Sequence, residues 1–209
     1  ARPAEEEWWQ PARVRRDLSA YLVASLTSPA AWAAPIVVLG QPGAGKSVLT
    51  KVLAAQLPDT DFLVVRVALR EVPADADLQD QIETAVRAST GERISWPDLA
   101  RAAAGAQLVV MLDGFDELLQ ATGVSHSDYL VKIAAFQQRE VDLGRPVAVV
   151  VTSRSAVADR TRYPDGSVAL RLEPFHDGQV AEWVRRWNRH NETELRARGL
   201  DPLPADVAQ

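Results

Sequence analysis

Eight consecutive residues, Gly40-Gln41-Pro42-Gly43-Ala44-Gly45-Lys46-Ser47, have the types and spacing of a phosphate cradle, G-x-x-x-x-G-K-S. The glycines let the backbone turn its N–H groups inward and let phosphate oxygens approach with no Cβ in the way. Lys46 is placed to reach the β and γ phosphates, and the Ser47 hydroxyl to bind Mg²⁺. A helix starting at Ser47, with Val48 in its first turn, would add free N–H groups and the positive end of its dipole. The plain alternative is a glycine turn that matches the pattern by chance. Its flanks argue against that: a short β-branched run, Ile36-Val37-Val38-Leu39, precedes it, and Val48, Leu49, Val52, Leu53 and Leu57 follow at helical spacing before Pro58.

A second group completes the chemistry. The apolar run Leu108-Val109-Val110-Met111-Leu112 ends in Asp113-Gly114-Phe115-Asp116-Glu117. Mg²⁺ bridging terminal phosphates needs a carboxylate or water-relayed ligand near Ser47, which Asp113 would supply. Asp116 and Glu117 follow where a carboxylate could orient or deprotonate an attacking water. Three carboxylates so close together repel one another, so the cluster is expected to be strained until a cation such as Mg²⁺ relieves it. The alternative reading is a strand end, an N-cap and the acidic first turn of a helix. Arg154, after the polar pair Thr152-Ser153 at another strand end, reads as a surface arginine or as a cation touching the γ-phosphate.

These residues need a scaffold that brings strand ends together. Five runs read as strands: 36–39, 62–69, 108–112, 147–151 and 168–172. Between them lie helical patterns at 15–26, 48–57, 77–88, 96–104 and 129–141, punctuated by Gly91, Gly105 and Gly144. Strands alternating with helices predict an α/β fold, the P-loop NTPase arrangement of a five-stranded, mostly parallel sheet with helices on both faces. Ligands of such a sheet lie at the carboxyl ends of its strands, where 40–47, 113–117 and Arg154 all fall. The chain divides into a linker and helix at 1–34, a nucleotide-binding core at 35–172 and the beginning of a helical domain at 173–209. Glu5-Glu6-Glu7-Trp8-Trp9 reads as a linker or docking segment, and Trp183 and Trp187 as core positions.

Composition excludes several classes. With 47% hydrophobic and 24% charged residues, the 209 residues can build a globular core. A net charge of −5 gives no footprint for direct nucleic-acid binding, and Arg185, Arg186 and Arg189 read as a solvated helix face. Cysteine is absent, and His126, His176 and His190 lack metal-ligand spacing. Residues 18–45 carry no charge, but serines, threonines and prolines interrupt them, so no membrane span is expected. The acidic start lacks a signal-peptide pattern, and a cytoplasmic protein is the expectation. A GTPase is disfavoured because no N/T-K-x-D occurs. A kinase or phosphotransferase acting on a small acceptor needs an arginine-rich lid, and 155–167 is short for one. A scaffold that binds nucleotide without turnover is the third alternative, against which the full set of acids weighs.

Leu112-Asp113-Gly114-Phe115-Asp116-Glu117-Leu118 resembles the acidic motif of the NACHT group of the signal-transduction ATPases with numerous domains. Val67-Ala68-Leu69-Arg70-Glu71 looks like the segment after their second strand, Val151-Thr152-Ser153-Arg154 like their first sensor, and Leu172-Glu173-Pro174-Phe175 like the passage into their helical domain. The resemblance spans about residues 35–190. It implies that Lys46 and Ser47 hold phosphate and Mg²⁺, Asp113 the metal, Asp116 and Glu117 the hydrolytic water, and Arg154 the γ-phosphate, with Arg70 a further candidate. It also implies a slow ATPase switch: ADP holds a closed state, and exchange for ATP permits homo-oligomers. In bacteria such proteins serve antiviral defence, a form of innate immunity, or regulation, with effector and sensor domains flanking the core.

Overall fold

The structure is a computed structural model that describes residues 3, 5–122, 128–156 and 161–204 of the chain. His126 and residues 157–160 of the segment following Arg154 lie outside them. Two compact units are present, Ala1–Leu172 and Glu173–Gln209.

The first unit is built on five strands, β1 (Ile36–Leu39), β2 (Phe62–Ala68), β3 (Gln107–Asp113), β4 (Val147–Ser153) and β5 (Val168–Arg171). Their order is β2-β3-β4-β1-β5, and every pairing is parallel. Parallel strands need crossovers, and helices supply them: α4 (Lys46–Gln56) after β1, α5 (Leu78–Thr90) and α6 (Trp96–Ala102) after β2, α7 (Phe115–Thr122) and α8 (Tyr129–Asp142) after β3. The short α1 (Glu6–Trp9), α2 (Leu18–Leu26) and α3 (Ala30–Ala33) precede the sheet.

The unbroken apolar runs are explained by burial on both faces. Side chains alternate across a strand, so Val37, Leu39, Val65, Val67, Val110, Leu112, Val149 and Val151 join α5 to α8 in one core. Ile36, Val38, Val109, Met111, Ala148 and Val150 join Leu22 and Leu26 of α2 and Leu53 of α4 in the other. Local signals set the helix ends: the Asp77 side chain accepts the Asp80 N–H to cap α5, and Ser95 accepts that of Asp98 to cap α6.

Three expectations change. β2 stops at Ala68, because Leu69–Glu71 tightens into a 3₁₀ turn. The Glu5–Trp9 stretch is no linker: it forms α1, buries Trp9, and ties Glu6 to Arg171 at the end of β5 through contacts of 2.6 and 3.0 Å. In the second unit, α9 (Asp177–Ala197) carries Trp183 and Trp187, which stack with ring centroids 6.5 Å apart. Trp183 is 51% exposed, so it is not a core residue. α9 opens with a capping box between His176 and Gln179. Its Asn188 side chain pairs with both the N–H and the carbonyl of Leu203, folding the following tail along the helix. Among the described residues, no helix is long and apolar enough to cross a membrane.

Candidate functional site

The strand order puts β4 between β1 and β3, so the cradle after β1 and the acids after β3 flank the end of one strand. Thr152 of β4 is the bridge. Its hydroxyl donates to Asp113 Oδ1 at 2.7 Å and accepts the Gly114 N–H at 2.9 Å, and Gly40 N–H donates to the Ser153 carbonyl at 3.2 Å. The register pairs Val38 with Thr152 and Leu112 with Val151, which levels the three strand ends.

Within the cradle, Gly45 caps α4 in the left-handed region at φ 86°, a conformation that favours glycine. The first helical bond of α4 runs from Leu49 N–H to the Gly45 carbonyl, so the N–H groups of Lys46, Ser47 and Val48 precede the ladder. Only the backbone N–H of Val48 can serve a phosphate, since its side chain carries no donor. Gln41, Pro42 and Gly43 are exposed at the rim, while Gly40 is buried and Ala44 half-buried. Lys46 Nζ donates to the carbonyls of Gly40 at 2.9 Å and Gln41 at 3.0 Å. Burial pushes the Lys46 ammonium below the usual lysine range, and the nearby Arg154 pushes the same way; the charges of Asp116, Asp113 and Glu117 oppose it.

Ser47 Oγ donates to Asp113 Oδ1 at 3.1 Å. Octahedral Mg²⁺ with bonds of about 2.0–2.1 Å puts adjacent ligands about 3 Å apart, so this pair fits two neighbouring positions on the ion. Among the described residues, no group of three or more His, Asp or Glu could hold a metal alone.

The acidic group departs from the expected strain. Asp113, 7% exposed, accepts from Ser47 and Thr152 on Oδ1 and forms an ion pair with Arg66 on Oδ2. Asp116, 3% exposed, is gripped by Arg154: Oδ2 lies 2.7 Å from Arg154 Nε, and Oδ1 accepts the Arg154 N–H at 3.2 Å. The protein's own arginines therefore relieve the repulsion assigned above to Mg²⁺. Asp116 has both oxygens committed to Arg154, which suits orienting that guanidinium better than accepting a proton. Glu117, in the first turn of α7, is half-buried and lies against Gly114. Arg70 is not brought here; it is exposed and pairs with Glu71 at 3.2 Å.

Arg66 and Thr152 are the positions that sequence reasoning passed over as actors. A signal for the first existed: Arg66 is the one charged residue in the otherwise apolar run Phe62–Ala68. Gly114 explains the small residue after the first aspartate. It sits at φ 90°, and a Cβ there would come within 3.2 Å of Glu117 Cδ and 3.3 Å of its Oε2. Gly114→Ala is expected to cost about 1–3 kcal/mol in urea unfolding. A loss below about 0.5 kcal/mol, the ordinary range of a neutral substitution, would contradict this geometry.

No protein-family model matches the sequence, and no curated protein does. Solved structures do match. The chain is similar to Drosophila ORC bound to DNA, with a TM-score of 0.57 and 11% identity over 92% of this chain and 51% of that one. It is similar to the Aeropyrum pernix ORC2 protein in its ADP form (TM-score 0.56, 16% identity, 98% and 70% covered). The ADPNP–ADP complexes of the same protein also match (TM-score 0.54, 15% identity, 90% and 55% covered). The fold is that of a P-loop NTPase. The likeness extends to the fold alone, and the chain spans about half the length of the first of these neighbours.

Proposed function

We propose that this chain is the nucleotide-binding module of a switch ATPase of the NACHT type, binding ATP or ADP with Mg²⁺ and hydrolysing ATP slowly. The observation that carries the reading is the meeting of Lys46, Ser47 and Asp113 across the end of β4, which lies between β1 and β3, with Ser47 Oγ 3.1 Å from Asp113 Oδ1. The cradle's N–H groups and Lys46 hold the β and γ phosphates, and Ser47 and Asp113 hold the ion. When bound, Mg²⁺ withdraws charge from the transferred phosphoryl group. Glu117 orients and accepts a proton from the attacking water, because Asp116 is taken by Arg154. Arg154, steered by Asp116, contacts the γ-phosphate and reports its presence to the segment after β4.

Adenine nucleotide as the ligand draws support from the ADP and ADPNP bound to the neighbouring folds. The NACHT reading draws on the Asp113-Gly114-Phe115-Asp116-Glu117 motif and Thr152-Ser153-Arg154. In a longer protein, exchange of ADP for ATP would release assembly of several copies and engage an effector, in bacterial antiviral defence or regulation. The nucleotide that leaves denatured, freshly purified protein tests this reading. ADP is expected, with ATP turnover well below the roughly 10 s⁻¹ of a median enzyme. Rapid multiple turnover, or label from ATP appearing on an added acceptor instead of in inorganic phosphate, would replace the switch with an ordinary hydrolase or a kinase.

A further inference from the structure

Arg66 is the one charged residue of β2. Its strand neighbours Val65 and Val67 face the α5–α8 core, which leaves Arg66 on the opposite face, beneath α4. There its Nε donates to Thr50 Oγ1 at 3.1 Å, and Thr50 in turn donates to the Ser47 carbonyl at 3.1 Å. Its Nη2 pairs with Asp113 Oδ2, reached diagonally from the register partner Met111. One guanidinium thus joins β2, the first turns of α4 and the aspartate at the end of β3. Both oxygens of Asp113 are divided: Oδ1 faces Ser47 and Oδ2 faces Arg66.

Charge sets the consequence. Among the described residues, Lys46, Arg66 and Arg154 stand against Asp113, Asp116 and Glu117, three cations for three carboxylates. A divalent cation arriving alone meets a site that is already neutral, and finds Asp113 facing a fixed positive charge. A polyphosphate changes that balance by bringing several negative charges onto the cradle.

We propose that Arg66 is the internal counter-ion of the metal-ligating Asp113, a positioning residue that confines metal contact to Oδ1 and makes Mg²⁺ entry depend on nucleotide. This rests on the nucleotide and metal reading of the site. The pair holds Asp113 oriented in the absence of metal. It also weakens the hold on metal, because the same carboxylate charge is shared between ion and guanidinium.

Manganese titration followed by electron paramagnetic resonance provides the test, on wild type, Arg66→Gln, Arg66→Lys and Asp113→Asn, each with and without ADP. Wild type is expected to bind Mn²⁺ only when ADP is present. Arg66→Gln is expected to bind it about tenfold tighter or more with ADP, and measurably without it, the effect of removing one unit charge beside the ligand. Arg66→Lys, which keeps the charge, is expected to stay within about threefold of wild type. Equal or weaker Mn²⁺ binding by Arg66→Gln, while Asp113→Asn still weakens binding, overturns the role of Arg66 and leaves the site reading standing. Asp113→Asn binding Mn²⁺ as wild type does overturns the site reading itself. Should Arg66→Gln not fold, the wild-type unfolding midpoint decides. It is expected to be the same in EDTA and in millimolar Mg²⁺ without nucleotide, and a rise of several degrees on adding Mg²⁺ overturns the proposal.

Discussion

Lys46→Ala is expected to leave the chain folded and to abolish useful binding of ATP and ADP. The folded state loses little, because Lys46 Nζ donates only to two loop carbonyls, those of Gly40 and exposed Gln41. Each such bond contributes about 1 kcal/mol, and water can replace it at the rim. The nucleotide complex loses far more. In it the ammonium leaves those carbonyls for the phosphates, and burial that already disfavours its charge also strengthens the attraction it exerts. Removing one partner of a desolvated, hydrogen-bonded charge pair costs about 2–5 kcal/mol, roughly thirtyfold to a few thousandfold in Kd. Isothermal titration with each nucleotide reads the difference, and a Kd within about threefold of wild type would remove Lys46 from the site.

Glu117→Gln has the opposite signature, with nucleotide retained and chemistry stopped. Two acids stand at the start of α7, and their surroundings differ. Asp116 is buried and holds Arg154 by side chain and backbone, so its oxygens are spoken for. Glu117 contacts Gly114 at the end of β3 and lies close enough to Lys46 for its charge to act on that ammonium. Loss of a general base reduces turnover by about 10²–10⁴, equivalent to about 3–5 kcal/mol of barrier. Single-turnover assays with labelled ATP are expected to show intact ATP persisting on Glu117→Gln. Turnover within about threefold of wild type would move the base elsewhere, and Asp116→Asn would then be the variant that stops the chemistry.

Much of this was legible because local and global signals agree. β1 and β4 are β-branched runs buried on both faces, a glycine-rich segment leaves the end of β1 and an acidic one the end of β3, so the sheet and the edge that carries the candidate site follow from pattern alone. What one-dimensional reading could not supply was lateral order. Without knowing that β4 lies between β1 and β3, nothing makes Thr152 the link between Gly114 and Asp113. Arg66 was hidden for the same reason, since its partner Asp113 is distant in sequence and adjacent only through β2–β3 pairing. The counter-charges for the acidic group came from other strands, which is why a cluster that looks self-repelling in sequence is neutralised in the fold. Trp183 misled because helical spacing marks a face without saying whether anything covers it. Arg70 misled by lying one turn beyond a strand end, where the 3₁₀ turn carries it to the surface.

The most direct measurement is a crystal structure of the chain with Mg²⁺ and a non-hydrolysable ATP analogue. The expected electron density places the β and γ phosphates inside the 40–47 loop, with Lys46 Nζ moved from the Gly40 and Gln41 carbonyls onto their oxygens. The ion is expected between Ser47 Oγ and Asp113 Oδ1, with Arg66 still on Oδ2. An analogue bound elsewhere at saturating concentration, with Lys46 still on its loop carbonyls, would contradict the account.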